Sequence, residues 1–265
     1  MPFFVLFYNQ NPMTYYKVII SYKGTQYFGW QSQPEEEKPT VQEAIQQVIK
    51  RVSKYQACTV IGASRTDAGV HAQGQVAKLT IPQEIAPDKL LLGMNSLLPK
   101  DIRILGCELC PAEFNPIQDS KMKEYHYYFS VNAIENPLLF DIVSHVSSDL
   151  DIQLMNEGAE LFIGEHDFYN FSRRDSNAYT TNRTISVCDI RKINFAPFNS
   201  IIYAIRIVGE GFLKQMVRYM AGSLFELGQK NISLQDLHHY LHKHQAGKLS
   251  PAAKAKGLHL VEITY

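Results

Sequence analysis

The stretch Lys123-Glu-Tyr-His-Tyr-Tyr-Phe-Ser-Val131 alternates between two kinds of side chain, and this alternation decides the fold. Every second position holds a large apolar or aromatic residue: Tyr125, Tyr127, Phe129 and Val131. Successive side chains of a β-strand point to opposite faces, so the spacing predicts a strand with one face in a core.

Outward from this strand, the chain predicts the same order of elements twice. The first half gives strands at 16–22, 58–64, 74–81 and 101–109, with helices opening at Thr40 and within 87–97. The second half gives strands at 123–131, 185–195, 201–209 and 258–264, with helices at 151–163, 212–227 and from Ser233. Each half therefore reads β-α-β-β-α-β, the ferredoxin-like order that RNA-recognition folds also use. The predicted class is α+β, with a mixed, largely antiparallel central sheet flanked by helices.

Three local signals set the predicted helix ends. Thr40 with Glu43 forms a capping box, and Ser233 with Asp236 repeats it with a shorter acid. Gly228 is a plausible stop for the helix at 212–227, because glycine adopts the left-handed conformation after a helix.

Pro111 and Pro116 suggest a boundary between the halves. We expect an α/β domain over 13–115 with the most polar loop, and a second α/β domain over 116–265. Residues 1–12, which precede Met13, are expected to be a dispensable extension.

The composition excludes some classes of protein but does not indicate a particular function. The 265 residues carry 26 Lys plus Arg against 26 Asp plus Glu, so nucleic acid binding needs positive charge gathered on one face. No apolar run approaches the roughly 20 residues that span a bilayer, and no convincing signal peptide is present. Cys107 and Cys110 form the one close pair of cysteines, so we expect reduced thiols and a cytoplasmic protein.

The densest polar stretch is Ala63-Ser-Arg-Thr-Asp-Ala-Gly-Val-His-Ala72. Asp67 stands two positions after Arg65, which suggests a mutual ion pair, and an ionised carboxylate serves as a nucleophile or a general base. Asp-Ala-Gly is also good turn chemistry, and the residue types alone favour the turn.

Two further stretches carry basic or aromatic side chains. The strand from Lys121 to Tyr128 can stack bases and neutralise phosphate, although aromatic residues on a strand are more often core. Lys214 and Arg218 lie four apart after Gly209 and Gly211, which suits either a phosphate site or a solvated face. The stretch has neither a Walker ending nor a dinucleotide fingerprint, so no nucleotide cofactor is indicated.

Four histidines lie close together in the chain, and they suggest a metal at first sight: His238, His239, His242 and His244. His238 and His242 share a helix face, but no acidic residue completes a zinc-enzyme pattern. We therefore expect no metal.

Taken together, these stretches resemble the TruA family of tRNA pseudouridine synthases over about residues 15–265. The most specific motif is Gly62-Ala-Ser-Arg-Thr-Asp-Ala-Gly-Val-His-Ala-x-Gly-Gln-Val76. Supporting pieces are Tyr27-Phe-Gly-Trp30-Gln31, Lys123-x-Tyr125-x-Tyr127, Arg183-Thr184, Phe212-Leu-x-x-Met-Val-Arg218 and Ala253-x-Ala255-x-Gly257-Leu258. With this resemblance, catalysis outweighs the turn for Asp67 and the core for Tyr125.

The resemblance implies an isomerase that converts uridine to pseudouridine at positions 38–40 of the tRNA anticodon stem-loop. Asp67 is implied as the catalytic aspartate, acting either as nucleophile or as base on a ribose proton. Arg65 is implied to pair with Asp67 and to fill the space of the flipped base, and Tyr125 to stack on the uracil. The other implied substrate-binding residues are Arg218, Leu258, His71 and Lys214. The family further implies a homodimer with a positive cleft, tRNA as partner, and no cofactor or metal.

Four positions depart from the family pattern: Lys23, Asn115, Pro116 and His126. They leave the implied chemistry intact but bear on the RNA target, so a paralogue with another RNA substrate stays open. Two other readings also stay open, namely a non-catalytic protein that binds or folds tRNA and a metal-dependent hydrolase that uses the histidines at 238–244.

Overall fold

The computed structural model describes residues 13–32, 38–54, 57–132, 134–146, 149–173, 180–195 and 200–265. The expected extension at 1–12 lies outside these residues. The described strands are β1 (Thr14–Tyr22), β2 (Thr59–Gly62), β3 (His71–Ile81), β4 (Ile102–Leu109), β5 (Met122–Ser130), β6 (Ser144–His145), β7 (Gly164–Asp167), β8 (Asn182–Phe195), β9 (Ser200–Gly209) and β10 (Leu258–Thr264). The described α-helices are α1 (Val41–Val52), α2 (Pro87–Leu97), α3 (Ile152–Glu160), α4 (Met216–Gly228) and α5 (Leu234–His242).

One sheet contains all ten of these strands, in the order β4-β1-β3-β10-β5-β9-β8-β7, with β2 on β3 and β6 on β5. The strands of the first half lie in the order β4-β1-β3-β2, and those of the second half lie in the matching order β10-β5-β9-β8. Most neighbours are antiparallel, whereas β10 with β3 and β5 with β6 are parallel. The predicted α+β class with a mixed, largely antiparallel sheet is confirmed.

The two halves meet where β10 runs parallel to β3. The pairing is short and consists of His259 opposite His71 and Leu260 opposite Ala72. This junction brings residues from the two halves of the chain together. The domain division at residues 115 and 116 stays a prediction.

The alternation of β5 is seen directly in its burial. Tyr125, Tyr127 and Phe129 are all buried. Phe225 of α4 packs edge-on against Tyr127 and Phe129, with ring centroids 5.7 and 5.1 Å away. The helices thus cover this face, and Tyr125 lies next along the same row.

Both predicted capping boxes form. The Thr40 hydroxyl accepts from the Glu43 N–H at 3.3 Å while the Glu43 carboxylate accepts from the Thr40 N–H at 2.9 Å. Ser233 and Asp236 make the equivalent pair of contacts at the start of α5. These local signals were sufficient because each box involves residues only three apart.

The predicted bounds of α4 need two corrections. The helix begins at Met216 rather than at 212, because Gln215 has a left-handed backbone with φ of 60°. Gly228 is the last helical residue and does not supply a left-handed stop, since the positive φ near this end belongs to Lys230. A Cβ on Gly228 would lie 2.7 Å from the Met155 side chain, so this glycine permits close packing of α4 on α3. No helix in the described ranges is both long and apolar enough to cross a membrane.

Candidate active site

The loop that carries Asp67 connects β2 to β3 and is fixed at its first residues by buried hydrogen bonds. The Ala63 N–H donates to the Val76 carbonyl at 2.8 Å. The Gln75 side-chain amide accepts from the Ser64 N–H at 3.2 Å and donates to the Ser64 carbonyl at 2.6 Å. Gln75 is fully buried, so it fixes the backbone conformation of Ser64.

The middle of the loop is held from the other side by the segment after β1. The Trp30 N–H donates to the Thr66 carbonyl at 3.1 Å, and the Tyr22 and Thr66 hydroxyls lie 2.7 Å apart. Gly29 has a φ of 84°, and a Cβ there would lie 2.4 Å from the Thr66 carbonyl oxygen. Glycine is required at this position for both reasons, and the loop next to Asp67 is consequently held on two sides.

Arg218 in the first turn of α4 is the ion-pair partner of Asp67. Its Nη1 donates to Asp67 Oδ2 at 3.3 Å, and its Nε donates to the Ala253 carbonyl at 2.8 Å. The Asp67 side chain is 25% exposed and that of Arg218 is 15% exposed. The site therefore presents a partly accessible carboxylate whose arginine is itself fixed by the backbone.

The expected pair between Arg65 and Asp67 does not form. Within the described ranges Arg65 is exposed and makes no ion pair. The loop carries Arg65 outward while Asp67 turns toward α4, so residues two apart in the chain point in different directions.

Tyr125 lies on the buried face of β5 and contacts the loop that carries Asp67. Its hydroxyl is 2.8 Å from the Ser64 Oγ, and its ring packs edge-on against Phe212 with centroids 5.1 Å apart. Burial raises the pKa of Tyr125 to about 12, and the hydrogen bond with Ser64 opposes part of that rise. The phenol is therefore protonated at neutral pH.

Lys123 projects from β5 on the same face as Tyr125. Its ammonium donates to the Ala63 carbonyl at 3.0 Å, and burial lowers its pKa. Lys123 and Tyr125 thus contact consecutive residues at the base of the Asp67 loop, and β5 is attached to the loop at two points.

The other candidate site residues differ in how far they are buried. Leu258 begins β10, pairs with Tyr127 and is 6% exposed, whereas Lys214 is on the surface just before α4. His71 is only 2% exposed, and its Nδ1 accepts from the Gly24 N–H at 3.1 Å. Its buried position favours support of the loop over direct contact with RNA.

His71 and His259 form a stacked pair where the two halves join. Their ring centroids are 4.5 Å apart. Burial lowers the pKa of His71 to about 4 and that of His259 to about 3, so both rings are neutral at physiological pH.

The positions that depart from the family pattern have partners of their own. Lys23 forms an ion pair with Asp141. His126 Nε2 lies 2.6 Å from a Glu124 oxygen, and the same carboxylate binds Arg206 at 2.8 and 3.0 Å.

Asn115 and Pro116 belong to a turn before β5. The Asn115 side-chain oxygen accepts from the Ile117 N–H at 3.0 Å, and the Pro116 carbonyl accepts from the Tyr265 hydroxyl at 2.9 Å. All four departures therefore have a hydrogen-bond or ion-pair partner in this chain.

The histidine cluster does not join this site. The rings of His238 and His242 stack at 4.1 Å on exposed α5, and His244 bonds to Asp167 at 2.6 Å. Among the residues that the structure describes, no group of three or more His, Cys, Asp or Glu is arranged to hold a metal ion.

Ser64, Gln75 and Phe212 were not selected from the sequence as site residues, although all three stand in the quoted motifs. Strand alternation already placed Lys123 and Tyr125 on one face. No signal in the sequence showed which loop contacts that face of β5.

Comparison with known proteins identifies the family of this chain. The family model described as tRNA pseudouridine synthase matches residues 18–115 and 159–265. A protein of Desulfotalea psychrophila named tRNA pseudouridine synthase A 2 is 51% identical over 95% of this chain and 98% of its own length. Proteins of Clostridium tetani and Streptococcus thermophilus with names of the same type are 36% and 33% identical over 93% and 96% of this chain, and over 96% and 100% of their own lengths. The chain belongs to the tRNA pseudouridine synthases, the isomerases that act on uridine in tRNA.

Proposed function

We propose that this enzyme isomerises uridines at positions 38–40 of the anticodon stem-loop and that Asp67 is the reacting carboxylate. The observation that supports this most is the partly exposed Asp67 side chain, paired with Arg218 at 3.3 Å at the meeting point of the loop, β5 and α4. A carboxylate held by an arginine can act as a nucleophile or a base with no metal or cofactor to activate it.

The reaction breaks the bond between N1 of uracil and C1′ of ribose and forms a bond between C5 and C1′. C5 loses a proton and N1 gains one, so atoms and electrons balance within a single nucleotide. Asp67 either attacks C1′ or removes a ribose proton to give a glycal. Both routes need one carboxylate and no oxidant.

Each of the residues around Asp67 has a separate role in binding or orienting the reacting groups. Arg218 binds the carboxylate, and its hydrogen bond to the Ala253 carbonyl fixes the orientation of the guanidinium group. Tyr125 offers a ring on which the uracil stacks, and its protonated hydroxyl makes it a neutral surface beside the anion.

A base in a stem must leave its stack to reach this pocket, which costs a few kcal/mol. Arg65, exposed on the same loop, fills the space that the base leaves. Leu258 forms an apolar wall for the flipped base, and Lys214 contacts phosphate. His71 supports the loop through its hydrogen bond with the Gly24 N–H.

The whole-protein arrangement is proposed on the family resemblance. A homodimer gathers basic side chains from two subunits along the tRNA, which reconciles RNA binding with a net charge of zero. The enzyme acts in the cytoplasm and uses no cofactor.

Pseudouridine mapping of unmodified tRNA transcripts tests the proposal, with wild type and Asp67→Asn compared. We expect modification at positions 38–40 by wild type and none by the variant. Modification elsewhere would retain the enzyme class and replace the target, while full activity of the variant would remove Asp67 from the chemistry.

A paralogous synthase with another RNA target is the second candidate. The observation in its favour is that His126 stands where the family commonly has Arg and is tied to Glu124 at 2.6 Å. The same mapping on other structured RNAs separates the two candidates. A non-catalytic tRNA-binding protein would bind the transcripts and modify none of them.

A further inference from the structure

We propose that a pocket beside the first turn of α4 binds a backbone phosphate of the RNA substrate, at a point separate from the reacting nucleotide. It rests on the proposed function only in taking tRNA as the substrate. It gives a role to Arg173 and Lys248, neither of which belongs to the site described above.

The pocket carries positive charge and has a volume of about 280 Å³. Arg173 and Lys248 line it together with two tyrosines, Tyr169 and Tyr219, and no Asp or Glu is present among the described residues of its lining. Both basic residues are exposed. A pocket with two cations and no acid favours an anion over a neutral or cationic ligand.

Lys248 is fixed at the wall of this pocket. Its ammonium donates to the Tyr169 carbonyl at 3.1 Å and to the Ser172 carbonyl. It also lies 5.2 Å from the centroid of the Tyr219 ring. All three groups are uncharged, so these contacts set the position of the ammonium.

Arg173 supplies the second charge. Within the described ranges no acid pairs with its guanidinium, while its backbone N–H donates to the Lys214 carbonyl at 2.9 Å. A guanidinium binds phosphate well because two of its N–H groups can donate to two oxygens at once. The exposed side chain of Arg173 is therefore suited to bind phosphate at the pocket.

The pocket adjoins the proposed active site. Tyr219 directly follows Arg218, which binds Asp67 from the first turn of α4. The backbone contact of Arg173 joins the pocket to Lys214, the proposed phosphate contact. An RNA strand that delivers a uridine to Asp67 has a phosphate on each neighbouring nucleotide, and such contacts position RNA without reading its sequence.

A buried asparagine holds the pocket in shape. The Asn170 side chain donates to the Lys243 carbonyl at 2.7 Å and accepts from the Gln245 N–H at 3.0 Å. These bonds join the segment after β7 to the segment after α5, and both segments line the pocket. A preformed site loses less conformational entropy when it binds its ligand.

Equilibrium binding of an unmodified tRNA transcript, measured over a range of salt concentrations, tests the proposal. We expect Arg173→Ala to raise Kd about tenfold. The slope of log affinity against log salt should become shallower by about one, because one phosphate contact is lost. Arg51→Ala at the exposed end of α1 is the matched control and should change neither quantity.

Gly247→Asp tests the pocket without removing any contact. A Cβ on Gly247 has no atom within 4 Å, so the new carboxylate enters without steric conflict and repels phosphate. We expect Kd to rise about tenfold at low salt and the difference from wild type to shrink as salt screens the repulsion. Gly93→Asp on α2, where a Cβ also has no atom within 4 Å, should bind tRNA as wild type does.

Unchanged Kd and salt slope in both pocket variants would overturn the proposal, and would be the result if the pocket took only a free phosphate ion. Weaker binding by Arg173→Ala with the wild-type salt slope would also overturn it, because that pattern indicates an altered structure and no lost phosphate contact. Binding is measured apart from the chemistry. Modification of a different uridine by wild type would therefore correct the proposed function and leave this test intact.

Discussion

The two halves of the sheet repeat one strand order but contribute unequally to the site. In the first half the connection from β2 to β3 carries Asp67 and is held by Gln75, Trp30 and Tyr22. The matching connection in the second half, between β8 and β9, covers 196–199 with the sequence Ala-Pro-Phe-Asn and contains no ionisable side chain. The second half instead supplies Arg218 from α4 and Tyr125 from β5.

This asymmetry shows that a repeated architecture need not repeat its chemistry. One half provides the proposed reacting carboxylate on a fixed loop, and the other provides its ion-pair partner Arg218 and the Tyr125 ring. The short parallel pairing of β3 with β10 brings them together. Substitutions in equivalent elements of the two halves should therefore have very different effects.

Loss of the Asp67 charge should have the largest effect. Asp67→Asn is nearly isosteric, and we expect the rate of pseudouridine formation to fall by about 10³-fold or more with little change in tRNA affinity. Asp88→Asn on α2, the helix of the first half that corresponds to α4, should be neutral. Residual activity above about a tenth of wild type would contradict an essential role for Asp67.

Arg218→Lys should come next. Lysine keeps the charge but cannot bind the Ala253 carbonyl and Asp67 through separate nitrogens of one plane, so we expect a loss of about 10²-fold in rate. Arg191→Lys on β8 is the control, because that arginine binds Asp189 through two nitrogens far from any proposed step. Equal effects of the two substitutions would weaken the assignment of Arg218.

Two glycines test whether the loop must be held this closely. Gly29→Ala introduces a Cβ at a positive φ and 2.4 Å from the Thr66 carbonyl, and we expect a loss of about 1–3 kcal/mol in stability together with reduced activity. Gly93→Ala lies within α2 with no atom within 4 Å of the new Cβ, so it should stabilise by about 0.5–1 kcal/mol. Denaturant unfolding of both variants measures the contrast, and a neutral Gly29→Ala would contradict the close approach.

The junction between the halves should respond to acid. The pKa of His71 is lowered to about 4 and that of His259 to about 3, against 6.5 in the unfolded chain. The folded state then binds fewer protons than the unfolded one, so the contribution to stability is complete above about pH 6.5 and is lost as the pH falls toward 4. We expect unfolding free energy to drop by about 1–3 kcal/mol between pH 7 and pH 4.5.

Replacement of one buried ring sharpens this prediction. His259→Gln should flatten the acid dependence of the unfolding free energy, because glutamine does not titrate. His239→Gln on the exposed face of α5 should leave that dependence as it is in wild type. An unchanged slope in His259→Gln would show that other groups control the acid response.

Short-range patterns in the sequence predict most of the helices and strands, and a sequence motif selects Asp67 as the candidate residue. Alternation in β5, the capping boxes at Thr40 and Ser233 and the Asp67 motif all depend on residues close in the chain. Local conformational preference and periodicity act over those same distances, which is why these features could be predicted. None of these patterns requires information about a distant part of the chain.

Only the tertiary structure decided which groups meet. The neighbour of Asp67 is not Arg65 two residues away but Arg218, which lies 151 residues along the chain, and Tyr125 finds Ser64 across 61 residues. The order of strands in the sheet brings both pairs together, and a one-residue change in the register of β5 would turn Tyr125 to the other face. The left-handed Gln215 that starts α4 and the burial of His71 depend on the same packing, which no local pattern specifies.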